Sequence, residues 1–159
     1  MGRDAASVLF VCMGNICRSP TAEAVFRQLL THEAPGLQIK IDSAATHSYH
    51  IGAAPDPRAQ AAALRRGIDL SALRARQLVA VDFVGLERIL VMDEQNLRDA
   101  RAIAPPAGAA RLRLLLDFAP ESGLREVPDP YYGSDPDFER VLDLCTAAAR
   151  GLLADLRCR

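Results

Sequence analysis

Short apolar runs alternate along the chain with longer segments in which apolar residues recur at helical spacing. Short apolar runs are typical of buried strands, because a strand that is covered on both faces has no polar side. Four such runs predict strands at residues 8–11, 37–41, 88–92 and 112–116.

The first and last amphipathic segments predict two long helices. In residues 20–31 the apolar side chains share one face, Ser19 is a candidate N-cap and Pro20 suits the first helical position. The last helix starts in the sequence SDPD at residues 134–137, which has the spacing of a capping box. Its apolar stripe consists of Phe138, Val141, Leu142, Cys145, Ala149, Leu152, Leu153 and Leu156.

Two further helices are predicted between the strands. Asp56 and Pro57 open one that Gly67 closes, and Asp93 is placed to cap another that starts at Glu94. Each of these helices follows a predicted strand, so strands and helices alternate through most of the chain.

This alternation predicts a single α/β domain over residues 1–159, with a four-stranded parallel sheet between two layers of helices. A loop rich in Pro, Gly and Asp is predicted for residues 117–133. In open sheets of this type, ligands bind beyond the carboxyl ends of the strands. The first strand ends at residue 12, and chemistry is therefore expected there.

The composition and net charge of the chain argue against several classes of function. Half of the 159 residues are apolar, a quarter are charged, and 19 basic against 20 acidic residues leave a formal charge of −1. This balance argues against disorder, against nucleic-acid binding by bulk charge and against a polybasic membrane anchor. No apolar run approaches the ~20 residues of a membrane span, and residues 8–11 are too few for a signal peptide. We therefore expect a cytoplasmic protein, with a monomer as the default state.

The cysteines agree with a reducing compartment. Cys12, Cys17, Cys145 and Cys158 do not form the dense framework of a small secreted scaffold. No Cys or His pair has the spacing of a structural zinc site. Neither a metal nor an organic cofactor is predicted.

Residues 12–20, with the sequence CMGNICRSP, connect the first strand to the first helix. A loop that runs into a helix N-terminus directs backbone N–H groups at a common centre, where the helix dipole favours an anion. Gly14 and Asn15 are residue types that tolerate left-handed backbone, and Arg18 offers a planar guanidinium that matches a tetrahedral oxyanion. A thiol of Cys12 that faces these groups is expected to ionise readily. The pattern predicts an anion-binding cup with a nucleophile at its floor.

A core role for Cys12 is the simpler interpretation of one cysteine. A cysteine at the end of a strand is more often a small core residue, and a Cys-x5-Arg spacing by itself is common. The combination of a strand, Cys, Gly-Asn, Arg-Ser-Pro and a helix is much rarer and favours the anion cup. In that cup Ser19 offers the sulfur a further hydrogen bond.

The sequence resembles the low-molecular-weight protein tyrosine phosphatases over nearly its whole length. The specific matches are VCMGNICRSP at residues 11–20 and VPDPYYG at residues 127–133. Supporting matches are DSA at 42–44, PDPR at 55–58, GI at 67–68, ARQ at 75–77, DF at 82–83 and ILVMD at 89–93. The resemblance implies the fold of this family and the hydrolysis of phosphotyrosine without a cofactor.

The resemblance also assigns a general acid. Asp129 lies between two prolines in the sequence PDPYYG, which by itself is typical of a turn, but the general acid of the family lies in this sequence. The implied reaction starts when Cys12 attacks phosphorus while the loop amides and Arg18 hold the equatorial oxygens. Asp129 protonates the phenolic oxygen and then activates the water that hydrolyses the cysteinyl-phosphate.

The rim of the cup is expected to accept the ring of phosphotyrosine. All the tyrosines of the chain fall in two predicted rim loops, although a single loop tyrosine is more often a surface ring. Relatives that act on phosphoarginine tend to have Thr where this chain has Ile16, which favours phosphotyrosine. Substrate contacts are predicted at Met13, Gly14, Asn15, Ile16, Cys17, Ser19, Tyr49, Tyr131 and Tyr132.

The resemblance implies two kinds of partner. One is a phosphotyrosine protein, which for bacterial relatives is often a tyrosine kinase, and the other is inorganic phosphate or another oxyanion in the cup. It also implies that Cys17 is a resolving thiol, which by forming a disulfide with Cys12 would protect that sulfur from overoxidation. A buried filler is the alternative role for Cys17. Cys145 is expected to be structural and Cys158 inert.

Two positions depart from the family pattern. Many relatives have a His near the place of Leu73 that supports the Asn of the phosphate loop, so Asn15 is expected to rely on Ser43 and Ser19 instead. Ala45 replaces a frequent Gly and would be strained if this position has positive φ.

Three other functions on this fold stay open: an arsenate reductase, a phosphoarginine phosphatase and a non-catalytic phosphopeptide-binding module. A thioredoxin-coupled arsenate reductase needs further cysteines near the middle of the chain, and none occurs between Cys17 and Cys145. A non-catalytic module would normally lose Cys12, Arg18 or Asp129, and all three are present.

Overall fold

The computed structural model describes residues 6–158. The strands are β1 Ala6–Cys12, β2 Ile39–Ala45, β3 Arg88–Val91 and β4 Leu112–Leu114. They form one sheet in the order β2-β1-β3-β4, and every neighbouring pair is parallel. The predicted four-stranded parallel sheet is confirmed.

Helices cover both faces of this sheet. The α-helices are α1 Arg18–Glu33, α2 Pro57–Leu64, α3 Asp82–Gly85, α4 Glu94–Ile103 and α5 Asp135–Arg157. Single 3₁₀ turns occupy Gly108–Arg111, Leu115–Phe118 and Pro120–Ser122. No helix among residues 6–158 has both the length and the apolar character that crossing a membrane requires.

Strand β1 divides the core into two halves. Val8 and Phe10 belong to one cluster of buried side chains, together with residues of α1, α2 and α5. Leu9 and Val11 belong to a second cluster, together with residues of α3 and α4. Because successive strand residues point to opposite faces, this division gives three layers with the sheet in the middle.

Strand β2 lies further along the chain than predicted. The apolar pattern indicates residues 37–41, whereas the strand runs over Ile39–Ala45. The polar residues Asp42 and Ser43 continue it because each finds a partner, Arg76 for the carboxylate and Asn15 for the hydroxyl. The polar break in the pattern therefore marks contacts with the functional site and does not mark the end of the strand.

Strand β4 is shorter than predicted. The apolar run 112–116 continues past the last strand residue, Leu114, into the 3₁₀ turn Leu115–Phe118. Leu115 and Leu116 are buried against α5 in this turn. The apolar run 112–116 therefore indicates that its leucines are buried, and both a strand and a tight turn under a helix can be buried.

The helix starts agree with the sequence in three cases and differ in one. Asp56 caps α2, Asp93 caps α4, and a capping box with Ser134 opens α5. The predicted cap at Ser19 is wrong, because α1 begins at Arg18, two residues before the predicted start at residue 20, and its N-cap position is Cys17.

The predicted strain at Ala45 does not occur. Among the described residues other than glycine, Asn15 alone has a positive φ, and Ala45 is an ordinary strand residue that pairs with Cys12. Its N–H donates to the carbonyl of Arg76 at 2.8 Å. Alanine therefore fits the end of β2 without redrawing the loop.

Candidate active site

The carboxyl ends of the strands bring distant segments together. Cys12 ends β1, Asp93 follows β3, and residues 127–133 return to the same edge after β4. The N–H of Val127 donates to the carbonyl of Met92 at 2.8 Å and fixes that return. The site therefore lies at the edge that the strand order predicts.

Cys12 lies at the floor of the site, with only 3% of its surface exposed. Its Sγ accepts the backbone N–H of Asn15 at 3.2 Å and lies 3.0 Å from the Oγ of Ser19. The sulfur therefore has hydrogen-bonding groups on two sides.

The side chain of Asn15 decides which way the Ser19 hydroxyl points. The N–H of Arg76 can only donate, so the Asn15 atom that faces it at 3.1 Å is the carbonyl Oδ1. The amide Nδ2 consequently donates to Ser19 Oγ at 2.7 Å and to Ser43 Oγ at 3.0 Å. Since Ser19 Oγ accepts from Asn15, its own proton is free to be donated to Cys12 Sγ at 3.0 Å. The alternative acceptor, the carbonyl of Ala44, lies further away at 3.5 Å.

A buried acid completes this chain of hydrogen bonds. The Ser43 hydroxyl donates to Glu23 Oε1 at 2.6 Å, and Glu23 has 3% of its surface exposed. The expected reliance of Asn15 on Ser19 and Ser43 is confirmed. Sequence reasoning missed Glu23, whose only signal is an acid on the otherwise apolar face of α1.

Gly14 and Asn15, the two loop residues that tolerate left-handed backbone, differ in their backbone conformation. Asn15 has a φ of 57°, the left-handed conformation that was expected. Gly14 does not have a positive φ, so that part of the prediction is wrong. A Cβ at Gly14 would instead lie 2.9 Å from the ring of His50, so a side chain there would require that ring to move.

Arg18 is buried, with 2% of its surface exposed, and acidic groups surround it. Its NH1 donates to Asp93 Oδ2 at 2.6 Å and to the carbonyl of Val127 at 3.0 Å, while NH2 lies 3.5 Å from Asp129 Oδ2. Burial by itself would lower the pKa of Arg18, but the charges of Cys12 and then Asp93 more than offset it and raise that pKa. The guanidinium is thus a fixed, permanent cation.

Asp93 serves two elements at once. Its Oδ1 accepts the N–H of Asn96 at 2.7 Å as the cap of α4, and its Oδ2 holds Arg18. The sequence predicts only the cap, because the partner Arg18 is 75 residues away along the chain.

Asp129 is the most accessible charged group of the site, with 45% of its side chain exposed. Its Oδ1 accepts the N–H of Tyr131 at 3.1 Å, which turns the carboxylate back over its own loop. The other oxygen faces Arg18 across the opening.

These groups surround a pocket of about 330 Å³. Its lining comprises Cys12, Met13, Gly14, Ile16, Cys17, Arg18, Tyr49, His50, Asp129, Tyr131 and Tyr132. Of the residues predicted for substrate contact, Asn15 and Ser19 lie behind this lining and hold Cys12 from below. His50 joins the lining although no motif singles it out; its packing on Gly14 brings it there.

The N-terminus of α1 opens into this pocket without a cap. It has neither a side-chain cap nor an acidic residue in its first turn, whereas Asp56, Asp93 and Ser134 cap the helices α2, α4 and α5. The unsatisfied amides and positive dipole end of α1 are therefore available to an anion above Cys12.

Aromatic rings form the rim. Tyr49 stacks on His47 with ring centroids 5.1 Å apart, and Tyr131 meets Tyr132 edge to face at 4.9 Å. Tyr132 is almost fully exposed, so its ring is free to contact a ligand that enters the pocket.

Cys17, which also lines the pocket, has a different environment from Cys12. Burial, followed by the nearby charge of Asp56, raises the pKa of Cys17 far above its usual range, and burial raises the pKa of Cys145 to about 12. Both are therefore neutral thiols at physiological pH, which leaves Cys12 as the sulfur that faces cationic and N–H groups in the pocket.

The comparison of the sequence with known families agrees with this geometry. The family model described as low molecular weight phosphotyrosine protein phosphatase matches residues 7–159. The human protein of that name is 46% identical over 149 residues, which cover 92% of this chain and 93% of the human one.

Solved structures agree as well. The crystal structure of YfkJ from Bacillus subtilis has a TM-score of 0.91 at 38% identity and covers 98% of this chain and 97% of its own. Vibrio vulnificus Wzb in complex with benzylphosphonate has a TM-score of 0.82 at 28% identity and covers 96% of this chain and 99% of its own. With a match across nearly all of its length in sequence and in fold, this chain belongs to the low molecular weight phosphotyrosine protein phosphatase family.

Proposed function

We propose that the protein is a tyrosine phosphatase that hydrolyses phosphotyrosine through a cysteinyl-phosphate on Cys12. The observation that carries this proposal is the sulfur of Cys12 at the floor of a pocket that Arg18 and Asp129 also line. Nucleophile, anion clamp and acid thus face one cavity, which is the constellation that phosphoryl transfer to a thiolate needs.

The first step forms the phosphoenzyme. The Cys12 thiolate attacks phosphorus, an S–P bond forms and the bond from phosphorus to the phenolic oxygen breaks. Arg18 and the open amides of α1 hold the equatorial oxygens. Asp129 gives its proton to the leaving oxygen, so that a neutral phenol departs.

The second step releases phosphate. Asp129, now a carboxylate, accepts a proton from a water that attacks the phosphorus on Cys12. The S–P bond breaks and its electron pair returns to sulfur. The hydroxyl of Ser19 and the N–H of Asn15 stabilise the resulting negative charge by hydrogen bonds. Asp129 therefore acts as the acid in the first step and as the base in the second, while the S–P bond of Cys12 forms and then breaks.

Phosphotyrosine is the proposed substrate because of the rim. The walls of the pocket carry Tyr49, Tyr131 and Tyr132, rings that can flank an aryl group on its way to Cys12. The Vibrio vulnificus structure, whose ligand is benzylphosphonate, supports an aryl ligand on this fold. Ile16 favours phosphotyrosine over phosphoarginine, as an apolar wall suits a ring better than a guanidinium.

We extend the proposal to a cytoplasmic monomer whose substrate is a phosphotyrosine protein, such as a tyrosine kinase if the source is a bacterium. The four free cysteines support a reducing compartment. Gel filtration with light scattering measures the oligomeric state directly.

The activity test uses para-nitrophenyl phosphate in the presence of a metal chelator. We expect turnover by the native protein and none by Cys12→Ser, which should still bind inorganic phosphate because the cup stays intact. Turnover of arsenate with thioredoxin, or tight phosphopeptide binding without ester hydrolysis, would instead indicate the reductase or the binding module. Preference for phosphoarginine over phosphotyrosine would overturn the assignment of substrate.

A further inference from the structure

Arg58 lies outside the pocket lining but contacts the loop that carries Asp129. It belongs to the first turn of α2, and its NH2 donates to the carbonyl of Tyr131 at 2.8 Å. Its NH1 donates to the carbonyl of Gly133 at 3.4 Å. One guanidinium thus holds two carbonyls of residues 129–133, which we call the acid loop.

Two groups, Asp56 and Phe138, fix the guanidinium of Arg58 itself. Asp56 accepts its NH2 at 2.9 Å and its Nε at 3.1 Å, a paired geometry that sets the plane of the guanidinium. The ring of Phe138, which is buried in α5, lies 4.7 Å from the guanidinium carbon. Arg58 beside Asp56 also holds the pKa of that carboxyl below its usual range, so the pair stays charged. The N–H donors of Arg58 are therefore held in position by Asp56 and Phe138, independently of the acid loop.

Asp56 connects the same unit to the other wall of the pocket. Its backbone N–H donates to the carbonyl of Ile16 at 2.8 Å, within the loop that surrounds the phosphate position. The pair of Asp56 and Arg58 therefore spans from the phosphate loop to the acid loop and sets the distance between them.

The acid loop needs such a contact at its far end. Two residues before the acid loop, Val127 is held by Met92 and by Arg18. Within the loop, Asp129 Oδ1 accepts the N–H of Tyr131 at 3.1 Å, while Oδ2 has only the longer contact of 3.5 Å with Arg18. The carbonyl of Tyr131 is the group that Arg58 holds.

We propose that Arg58 is a positioning residue for the general acid, through the carbonyl of Tyr131. The inference rests on the proposed role of Asp129 as the acid. Without Arg58, the end of the acid loop is free to turn, and the carboxyl of Asp129 is no longer held toward the leaving oxygen. A purely structural role, in which Arg58 only ties α2 through Asp56, would leave the proton transfer intact.

The test compares two substrates that need the acid to different degrees. Phenyl phosphate expels a strongly basic oxygen and depends on protonation, whereas para-nitrophenyl phosphate expels a weakly basic one. The readout is kcat/KM for the nitrophenyl ester divided by kcat/KM for the phenyl ester, because this ratio does not change with the fraction of folded enzyme.

The variant is Arg58→Met, which keeps an apolar stem against Phe138 and removes the donors. We expect the ratio to rise about tenfold, less than the ~100-fold that a fully misplaced catalytic group can cost, because Arg18 still faces Asp129. Arg58→Lys, which retains a charged donor, should give an intermediate ratio, and inhibition by inorganic phosphate should be unchanged. Arg66→Met is the control, since Arg66 pairs with Glu139 and Asp143 and does not contact the acid loop.

Asp129→Asn separates the two proposals. A raised ratio in Asp129→Asn together with a native ratio in Arg58→Met would overturn the positioning role and leave the acid in place. A native ratio in Asp129→Asn would overturn the role of Asp129 in the proposed function. A ratio that rises equally in Arg66→Met would also contradict the inference, because it would show that loss of any nearby arginine suffices.

Discussion

At the scale of single residues, Asn15 links the backbone, the hydrogen-bond chain and the sulfur. Its φ of 57° turns its N–H toward Cys12, and its amide sets the proton of Ser19. The sulfur therefore receives two donors whose directions are settled before any substrate binds, which is the preorganisation that electrostatic catalysis requires.

Substitution of Asn15 separates these two contributions. Asn15→Gly keeps a residue that is relaxed at positive φ and loses the amide, whereas Asn15→Ala loses both. We expect both variants to lose kcat/KM by at least about tenfold, as the Ser19 proton is no longer directed at the sulfur. Only Asn15→Ala should lose a further ~1 kcal/mol of unfolding free energy, measured by urea titration. Equal stability of the two variants would show that the left-handed backbone is not strained by a side chain.

The sequence identifies the residues that carry chemistry better than the residues that hold them. The motifs single out Cys12, Arg18 and Asp129, and all three line one pocket of the structure. Glu23 and the second role of Asp93 could not be predicted, because their partners lie 20 and 75 residues away along the chain. Contacts of that range depend on how the elements pack, which a local pattern does not contain.

At the scale of elements, the N-terminus of α1 lacks a side-chain cap, whereas α2, α4 and α5 are each capped. Helix α1 has an open N-terminus at the pocket, and α5 packs against α1 in the same core. The apolar periods predicted both helices well, because each buries one continuous face. They did not predict α3, which is one turn long, or the end of β4, where burial continues into Leu115–Phe118.

Helix α5 packs so closely on that turn that it needs a glycine. A Cβ at Gly151 would overlap the carbonyl oxygen of Phe118, although Ala is otherwise the better helix former. We expect Gly151→Ala to lower the free energy of unfolding by about 1–3 kcal/mol, the range for overpacked sites. Urea titration followed by circular dichroism measures the change.

Gly85→Ala is the matched control for Gly151. No atom lies within 4 Å of a Cβ at Gly85, and its φ is not positive. This variant should be as stable as the native protein or slightly more stable. If Gly151→Ala proved equally neutral, the close packing of α5 on residues 115–118 would be wrong.

At the scale of the whole molecule, one fold holds thiols in opposite environments. Cys12 faces donors in the pocket, while Cys145 is enclosed in the core that α5 shares with α1. We propose that residues 1–159 form one domain, because both thiols belong to the same core cluster. Activity and circular dichroism should then be lost in a single coincident transition.

Because of the buried thiols, the free energy of unfolding should change with pH in the alkaline range. Burial raises the pKa of Cys145 to about 12 in the folded state, against about 8.5 in an unfolded chain. A raised folded pKa means that the stabilisation is fully present below pH ~8.5 and is lost as pH rises toward the folded value. The urea concentration at the midpoint of unfolding should therefore decrease as the pH is raised from about 8.5 to about 10.5. This decrease should be less steep in Cys145→Ala. Identical slopes in the two proteins would exclude Cys145 as a source of the pH dependence.

The most direct test of the central claim is to identify the atom that carries the phosphoryl group during turnover. Asp129→Asn should slow hydrolysis of the intermediate more than its formation from para-nitrophenyl phosphate, because that leaving group needs little protonation. After rapid acid quenching and proteolysis, mass spectrometry should find one phosphoryl group on the sulfur of Cys12 and none in Cys12→Ser. A phosphoryl group on another side chain, or turnover without any covalent adduct, would contradict the account.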